Sequence, residues 1–129
     1  NIGNHSVFFS KFFNKVYSFE PNPITYDVLS INSKYTTLKK NIVPYNIGLS
    51  DDNTKLPFII DSNNIGGSRI ISIDNKIKSN DKTIYVNVKL ADEISVLKEE
   101  SIFLIKIDIE GYEINALKGA ENIIRSNKS

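Results

Sequence analysis

The segment from residue 102 to residue 113 constrains the fold of this chain more than any other. It reads Ile-Phe-Leu-Ile-Lys-Ile-Asp-Ile-Glu-Gly-Tyr-Glu, an apolar and largely β-branched run that ends in three acids around one glycine. A helical pattern follows it. The run predicts a strand over residues 102–108, the strongest in the sequence. Because ligands bind outside the carboxyl ends of the strands in open α/β sheets, the acids predict an active site at this strand end.

The rest of the chain alternates predicted strands with predicted helices. Short apolar runs, or runs in which apolar and polar residues alternate, predict strands over residues 15–20, 42–49, 56–60 and 83–89. Pro44 lacks an N–H donor and therefore places the second of these strands near a sheet edge. The stretch 56–89 breaks the alternation and predicts an inserted antiparallel ribbon. A loop over residues 63–68, rich in glycine, is either a mobile lid or a plain hairpin turn.

Helical spacing and capping residues predict helices over residues 6–14, 92–98 and 113–125, and one more that begins after Asn22. Asn22 can cap that helix, and Pro23 suits its first position. Its apolar residues Ile24, Val28 and Ile31 share one face. In the last helix we expect an inward face, formed by Ile114, Leu117 and Ile124. Strands that alternate with helices predict an α/β fold with a mostly parallel sheet.

Composition excludes several classes of protein. The length of 129 residues and the hydrophobic fraction of 40% suit one globular domain, and a net charge of +1 indicates no particular partner. The basic residues are spread along the sequence, so nucleic-acid binding is not expected. The absence of cysteine excludes disulfides and thiolate chemistry. No stretch approaches the ~20 apolar residues of a membrane span and no secretion signal is visible, so we expect a cytoplasmic location.

Gly3 and Glu20 form the first candidate constellation. Gly3 precedes the first predicted helix and Glu20 ends the next strand. In a nucleotide-binding βαβ unit, a glycine lets the backbone approach the ligand, and an acid about 20 residues further on accepts hydrogen bonds from ribose hydroxyls. One glycine is weaker evidence than a full GxGxxG motif. The alternative is a helix-start glycine with a surface glutamate.

Asp108, Glu110 and Glu113 form the second constellation. Asp108 and Glu110 point the same way if the strand continues through both, and Glu113 falls in the first turn of the helix. Such acids can orient a cofactor amine or accept a substrate proton. For Glu113 we favour a role at the helix start, where an acid complements the helix dipole. For Asp108 we favour function, because solubility does not explain an acid after so apolar a run.

His5 is the single histidine of the chain. It lies at the start of the first predicted helix, next to the glycine turn, and its ordinary pKa near neutrality would suit a general base. A lone histidine at a helix start is more often a capping or packing residue. One histidine among scattered acids is poor evidence for a metal site, and we expect none.

Four segments in order resemble the FkbM family of methyltransferases. They are Asn-Ile-Gly-Asn-His-Ser at residues 1–6, Val-Tyr-Ser-Phe-Glu-Pro-Asn-Pro at residues 16–23, Asn-Ile-Gly-Leu-Ser-Asp at residues 46–51, and Ile-Lys-Ile-Asp-Ile-Glu-Gly-Tyr-Glu at residues 105–113. The resemblance implies a class I, Rossmann-like fold and an enzyme that uses S-adenosylmethionine, typically to methylate a hydroxyl oxygen. The acceptor would be a sugar, a lipid or a secondary metabolite, and no metal would be required.

The resemblance also implies roles for individual residues. Asn1 and Gly3 would belong to the end of the glycine-rich cofactor loop, and Glu20 would hold the ribose hydroxyls. Asp108 would lie beside the methionine part of the cofactor and the incoming hydroxyl. We therefore expect Glu20 and Asp108 to protrude from neighbouring parallel strands toward one crevice.

A second set of residues would contact the adenine. The resemblance places Leu49 and Ser50 near it, at the end of the third strand, with Asp51 close by. Asp92 occupies the acid position of a segment that resembles the family's Thr-Leu-Asp stretch, although the two residues before it depart from that pattern.

The start at Asn1 and the absence of methionine favour a fragment. Family members carry a strand and an Asp-Val-Gly-Ala-type lead-in before the first matching segment, and later strands after the last helix. We expect residues 1–129 to be a partial methyltransferase domain that alone binds cofactor poorly. Two other classes remain open: a nucleotide-dependent dehydrogenase with a Rossmann domain, and a truncated, non-catalytic interaction module.

Overall fold

A computed structural model describes residues 1–61, 67–71 and 82–127. The chain divides into two compact units, Asn1–Gly48 (unit 1) and Leu49–Ser129 (unit 2). Each unit contains both helices and strands, so the predicted α/β class is confirmed. Within the described part of the chain, no helix has the length and apolar character that crossing a membrane requires.

Unit 1 is built from two strands and two helices. The elements are α1 (Asn4–Ser10), β1 (Val16–Phe19), α2 (Pro23–Tyr35) and β2 (Ile42–Tyr45). The two strands are parallel, with Val16 opposite Ile42. Helix α2 begins as predicted, because Pro23 occupies its first turn and the Asn22 side chain accepts a hydrogen bond from the Ile24 amide at 3.1 Å.

The inward face of α2 is not the face with the most apolar residues. Leu29, only 1% exposed, lies on the buried row together with Thr25 and Ser33, while Ile24 and Ile31 are exposed. The Ser33 hydroxyl donates to the Leu29 carbonyl at 2.7 Å, so this polar side chain is buried with its hydrogen bond made. Hydrophobicity alone therefore does not indicate which face of α2 packs inward.

Unit 2 contains the predicted antiparallel ribbon. Its sheet has the order β3-β6-β4-β5, with β3 at Gly48–Leu49, β4 at Thr54–Ile60, β5 at Arg69–Ile70 and β6 at Lys82–Lys89. Strand β4 is antiparallel to both β5 and β6. One face of the ribbon forms a core, lined by Leu56, Phe58, Ile70, Val86 and Val88.

The structure corrects one prediction for this region, the strand over residues 42–49, and leaves another, the loop over residues 63–68, untested. The strand expected over residues 42–49 is two strands, β2 and β3, separated by Asn46 and Ile47. The Asn46 amide group donates to the Glu20 carbonyl at 2.9 Å, which stabilises the break. Most of the loop predicted over residues 63–68 lies outside the described residues.

The helices of unit 2 are shorter than predicted. A 3-10 turn (Ala91–Glu93) and α3 (Ser95–Glu99) replace the helix expected over residues 92–98. The helix expected over residues 113–125 is divided at Gly119 into α4 (Glu113–Lys118) and α5 (Glu121–Ser126).

The predicted inward face of this last helix is wrong. Ile114, Leu117 and Ile124 are exposed, and the buried residues are Ala116, Ala120 and Ile123. The buried residues are spaced four and three apart and so share one helical face, which carries two small alanines and a single isoleucine; the larger apolar side chains lie off that face.

The strand predicted over residues 102–108 is also wrong: this segment belongs to no sheet in the described part of the chain. Three of its apolar side chains are exposed, Phe103 at 88% together with Leu104 and Ile105. A β-branched, apolar sequence fits a strand only where a neighbouring strand supplies hydrogen bonds and a packing surface. The described sheets are accordingly parallel in unit 1 and largely antiparallel in unit 2, rather than one mostly parallel sheet.

The burial of α2 can be tested with two substitutions on the same helix. Leu29→Ala should lower the free energy of unfolding by about 2–5 kcal/mol, because it leaves a cavity at a fully packed position. Ile31→Ala removes a similar side chain that is 57% exposed and should change it by less than about 0.5 kcal/mol. Urea unfolding followed by circular dichroism measures both, and equal losses would contradict the observed face.

Candidate functional site

The turn before α1 is packed tightly against α2. Gly3 has a φ of +97°, a left-handed conformation that favours glycine, and a Cβ at this position would lie 2.8 Å from the Leu29 side chain. Its carbonyl accepts the Val7 amide at 2.8 Å and so begins the helix. The neighbouring Ile2 carbonyl accepts a hydrogen bond from the Asn32 side chain at 2.7 Å. The sequence therefore places a backbone turn, buried at Gly3, at a defined position beside α2.

Glu20 directly follows β1, and its carboxylate is held in place. The residue is 7% exposed. Oε1 accepts the Asn22 amide at 2.8 Å, and Oε2 contacts the amino group of Asn1. The Glu20 amide donates to the Tyr45 carbonyl at 3.0 Å, which extends the pairing of β1 with β2 by one residue.

This geometry brings three of the predicted residues together: Asn1, Gly3 and Glu20. The alternative of a surface glutamate is wrong, because Glu20 is buried. A buried carboxylate costs free energy unless hydrogen bonds satisfy its oxygens, and Glu20 has partners on both. Asn22, predicted only as a helix cap, has a second role here, because its backbone amide holds the carboxylate.

His5 lies in the first turn of α1 and is exposed. Its ring stacks on Phe9, with ring centroids 6.4 Å apart and planes 27° from parallel. This contact agrees with the packing alternative stated above. A role as general base stays a prediction.

The second group of predicted residues lies where β3 ends, in unit 2. Leu49 is partly buried, and Ser50 is almost completely buried. The Ser50 amide donates to the Lys89 carbonyl at 2.9 Å. The Ser50 hydroxyl lies 3.2 Å from Asp51 Oδ1 and 3.4 Å from the Tyr112 hydroxyl, so it links the strand end to the residue before α4.

Asp51 extends this group toward solvent. Both of its carboxylate oxygens lie 3.0 Å from the side-chain nitrogen of Asn115, which donates to them. That hydrogen bond is the main cause that lowers the pKa of Asp51 below its ordinary value. Asp51 is therefore an ionised, oriented acceptor at the surface.

Gly119 allows α4 to approach this strand end closely. A Cβ at Gly119 would lie 1.8 Å from the Ser50 carbonyl oxygen, a distance that no side chain can occupy. Tyr112, Asn115 and Gly119 are spaced three and four residues apart, so they share one helical face. Sequence reasoning missed all three, although this spacing was a signal that could have grouped them.

Asp108 and Glu110 do not form the strand-end pair that we expected. Asp108 is exposed and contacts Lys106, with Nζ 2.9 Å from Oδ2. Glu110 has a φ of +55°, so the backbone turns there instead of continuing as a strand. The strand on which the side chains of Asp108 and Glu110 would point the same way is therefore not observed. The expectation that Glu20 and Asp108 face one crevice stays a prediction.

Glu113 and Asp92 have structural roles. Glu113 Oε1 accepts the amides of Ile109 at 3.1 Å and Gly111 at 3.2 Å, so it orders the turn before α4, as predicted for a helix-start acid. Asp92 accepts the amides of Asn122 and Ile123 at 3.0 and 2.9 Å and so caps α5. Among the described residues, no group of three or more His, Asp or Glu is arranged to hold a metal ion.

The comparisons with known proteins agree on one family. The family model described as the methyltransferase FkbM domain matches residues 1–128. The chain is 32% identical over 98% of its length to the "Hexuronic acid methyltransferase AglP" of Haloferax volcanii, and 30% identical over 94% to the "Methyltransferase sdnD" of Sordaria araneosa. These matches cover 49% and 58% of the two relatives, so the chain spans about half their length.

A solved structure shares the fold. The crystal structure of methyltransferase FkbM from Methylobacillus flagellatus KT superimposes with a TM-score of 0.63 at 22% sequence identity. The match covers 97% of this chain and 28% of that chain. The predicted Rossmann-like α/β class is therefore confirmed at the level of the fold.

The close approach at Gly119 gives a testable expectation. Gly119→Ala should lower the free energy of unfolding by more than about 2 kcal/mol, because the methyl group must displace the Ser50 backbone. Gly111→Ala is the matched control. Nothing lies within 4 Å of a Cβ there, so only the left-handed backbone at φ +93° opposes it, at about 1–2 kcal/mol. Thermal unfolding measures both, and a smaller loss at Gly119 than at Gly111 would contradict the packing.

The lowered pKa of Glu113 predicts how the free energy of unfolding depends on pH. Its backbone hydrogen bonds, that with its own amide first and those with Ile109 and Gly111 next, lower its pKa below the ordinary value. A lowered folded-state pKa contributes stability above the unfolded-state pKa and loses it as pH falls through the folded one. Glu113→Gln should therefore reduce the pH dependence of the unfolding free energy between about pH 5 and pH 3. Urea unfolding at a series of pH values measures this, with the exposed Glu110→Gln as control.

Proposed function

The chain belongs to the FkbM methyltransferase family, and we propose that the protein transfers a methyl group from S-adenosylmethionine to a hydroxyl oxygen of a small molecule or a glycan. The single observation that supports cofactor binding most strongly is the buried Glu20 carboxylate at the end of β1. Such a carboxylate, beside a glycine turn, is the arrangement that binds the two hydroxyls of a ribose.

The residues of unit 1 fit a nucleoside. Glu20 Oε1 is fixed by the Asn22 amide, and Oε2 is turned toward Asn1, in the turn that ends at Gly3. A carboxylate oriented by a backbone donor accepts strong hydrogen bonds when it is ionised. In this proposal Glu20 accepts from the ribose hydroxyls, while Asn1 and Gly3 present backbone to the ligand.

Leu49, Ser50 and Asp51 are the proposed contacts of the adenine. Leu49 supplies an apolar side chain, and Asp51 supplies an ionised acceptor that Asn115 keeps oriented. The buried Ser50 fixes the backbone between them through its bonds to Lys89 and Tyr112. These residues would bind the adenine mainly through well-oriented contacts. The charge of Asp51 would add little, because water screens a largely exposed carboxylate.

The chemistry asks little of the protein beyond alignment. S-adenosylmethionine, when bound, supplies a methyl group on a cationic sulfur that is already activated. The protein must hold the acceptor oxygen in line and remove its proton as the bond forms. We assign Asp108 to that proton or to the orientation of the acceptor, with His5 as the second candidate base.

The acceptor class rests on the relatives alone. One is named a hexuronic acid methyltransferase, which favours a sugar acid as the first acceptor to test. A glucuronoside offers both hydroxyl and carboxylate oxygens. The proposal specifies a hydroxyl, so the product should be an ether, which survives mild base, and not a methyl ester, which does not.

Glu20 provides the test of cofactor binding. Glu20→Gln keeps the shape of the side chain and one acceptor for the Asn22 amide, but it removes the charge. The affinity of the whole protein for S-adenosylmethionine should fall about 10- to 100-fold, because a hydrogen bond to a charged group contributes about 1.5–3 kcal/mol. Isothermal titration calorimetry measures the dissociation constant.

Asp27→Asn is the matched control, because Asp27 is the other acid of unit 1 and is exposed on α2. Its affinity should equal that of the unchanged protein. Equal affinity of the Glu20 variant would exclude the proposed ribose contact. Tight binding of NAD in place of S-adenosylmethionine would assign the protein to another class of enzyme.

Asp108 provides the test of catalysis. Asp108→Asn should lower kcat about 10²- to 10⁴-fold with little change in the affinity for S-adenosylmethionine, since it removes a proton acceptor. The measurement is formation of S-adenosylhomocysteine with a methyl glucuronoside as acceptor. Glu110→Gln, an exposed acid two residues away, should leave kcat unchanged. Similar kcat values for the two variants would remove Asp108 from the proposed mechanism.

A further inference from the structure

Unit 1 separates its charges between its two ends. Its five lysines lie where the helices end and the strands begin, at Lys11, Lys15, Lys34, Lys39 and Lys40. Its two acids, Glu20 and Asp27, lie after β1 and in the first half of α2. Because β1 and β2 are parallel, α2 runs back from the end of β1 to the start of β2, and α1 ends where β1 begins, so these are opposite ends of the unit. Along the sequence the lysines are dispersed, and only the fold gathers them.

Hydrogen bonds join the segments that carry the lysines. The Asn41 side chain donates to the Ser10 and Phe13 carbonyls at 3.0 and 2.8 Å, and the Val16 amide donates to the Asn41 carbonyl at 3.0 Å. Lys39 Nζ donates to the Lys11 carbonyl at 2.9 Å. The end of α1, the start of β1 and the segment after α2 therefore form one continuous surface, which we call the basic end.

The basic end also carries the most exposed large apolar side chains of unit 1. Leu38 is 102% exposed, Tyr35 69% and Phe12 66%. The Phe12 ring packs only against Phe8 among the ring contacts described for it, with centroids 5.1 Å apart. Lys34 and Lys40 lie over the Tyr35 ring, with Nζ 5.2 and 5.9 Å from its centroid. Single exposed apolar residues are ordinary on a protein surface, but several on one surface among lysines mark an interaction site.

Lysines around exposed aromatic and aliphatic side chains are the composition of a surface that binds the interface of an anionic bilayer. The apolar side chains enter the boundary between headgroups and acyl chains, and the lysines stay among the anionic headgroups. Each lysine near such a surface adds attraction. A nucleic-acid surface would need the lysines but would not favour a fully exposed Leu38.

A depression beside the lysines fits a headgroup. It has a volume of about 260 Å³ and is lined by Ser30, Ser33, Lys34, Lys40, Ile42 and Pro44. The ammonium groups of Lys34 and Lys40 suit a phosphate, and the two apolar residues suit the glycerol carbons next to it.

We propose that the basic end of unit 1 docks the protein on the surface of an anionic phospholipid membrane, with Phe12, Tyr35 and Leu38 inserted and the lysines among the headgroups. This surface lies at the end of unit 1 opposite Glu20, so it is separate from the proposed cofactor contacts in that unit. Docking would hold the enzyme at a membrane surface.

Vesicle sedimentation tests this proposal. The whole protein should sediment with phosphatidylcholine vesicles that contain about 30 mol % phosphatidylglycerol, and not with pure phosphatidylcholine. Raising NaCl from about 0.05 to 0.5 M should weaken the binding, because salt screens the attraction. Leu38→Ser should lower the partition coefficient about tenfold by removing an inserted side chain. Lys39→Glu should lower it at least about tenfold by reversing one charge.

Matched controls lie away from the basic end. Ile24→Ser changes an exposed apolar residue at the start of α2, and Lys55→Glu reverses an exposed lysine of β4 in unit 2. Both should bind vesicles like the unchanged protein. Leu38→Ser and the two controls should keep the thermal unfolding midpoint, and Lys39→Glu should lower it only slightly, because it loses one exposed hydrogen bond to the Lys11 carbonyl. All four variants should keep the affinity for S-adenosylmethionine, so a failure of docking is distinguishable from a failure of the proposed activity.

Four outcomes would overturn the proposal. They are no sedimentation with anionic vesicles, equal sedimentation with neutral vesicles, unchanged binding of the Leu38 and Lys39 variants, and losses of the same size in the two controls. Self-association that Leu38→Ser abolishes, in a protein that does not bind vesicles, would assign the surface to a second copy of the chain. Binding of a DNA oligonucleotide without vesicle binding would assign it to nucleic acid.

Discussion

The hydrogen bond from the Asn22 amide to the Glu20 carboxylate is the interaction on which the arrangement of unit 1 depends. It turns the chain from the end of β1 into the start of α2 within two residues. The same short segment buries the acid and caps the helix through Asn22. Because the carboxylate is fixed by backbone, its position does not depend on a flexible side-chain partner, which is what a ligand contact requires.

Unit 2 depends on a different constraint, the close approach of Gly119 to the backbone of Ser50. That approach divides the last helix and brings Tyr112 and Asn115 against the end of β3. Asp92 then caps α5 directly after the break. The acids of this unit consequently divide between roles: Asp92 and Glu113 satisfy backbone amides, while Asp51 and Asp108 are directed toward solvent.

Both proposed sites contain a side chain whose burial is opposite to that usual for its residue type. A carboxylate is usually exposed, yet Glu20 is buried, and a leucine is usually buried, yet Leu38 is exposed. The first is stable because hydrogen bonds compensate for its lost hydration. The second is stable because other contacts hold the unit together, which leaves Leu38 available to a partner.

The sequence by itself determined the family, the α/β class, the capped start of α2, the antiparallel ribbon, and the grouping of Asn1, Gly3 and Glu20. The family and the place of Asn1 follow from the resemblance of four segments to known methyltransferases. The rest follows from local chemistry: Asn22 before Pro23 caps a helix, alternating valines and isoleucines form a half-buried ribbon, and a glycine permits a left-handed turn. Only the tertiary structure decided which face of α2 is buried, that the last helix divides at Gly119, that residues 102–108 belong to no described sheet, and that dispersed lysines meet at one end of unit 1. The physical reason is that burial, strand pairing and charge clustering depend on neighbours distant in sequence, and no local pattern specifies which neighbours a segment will meet.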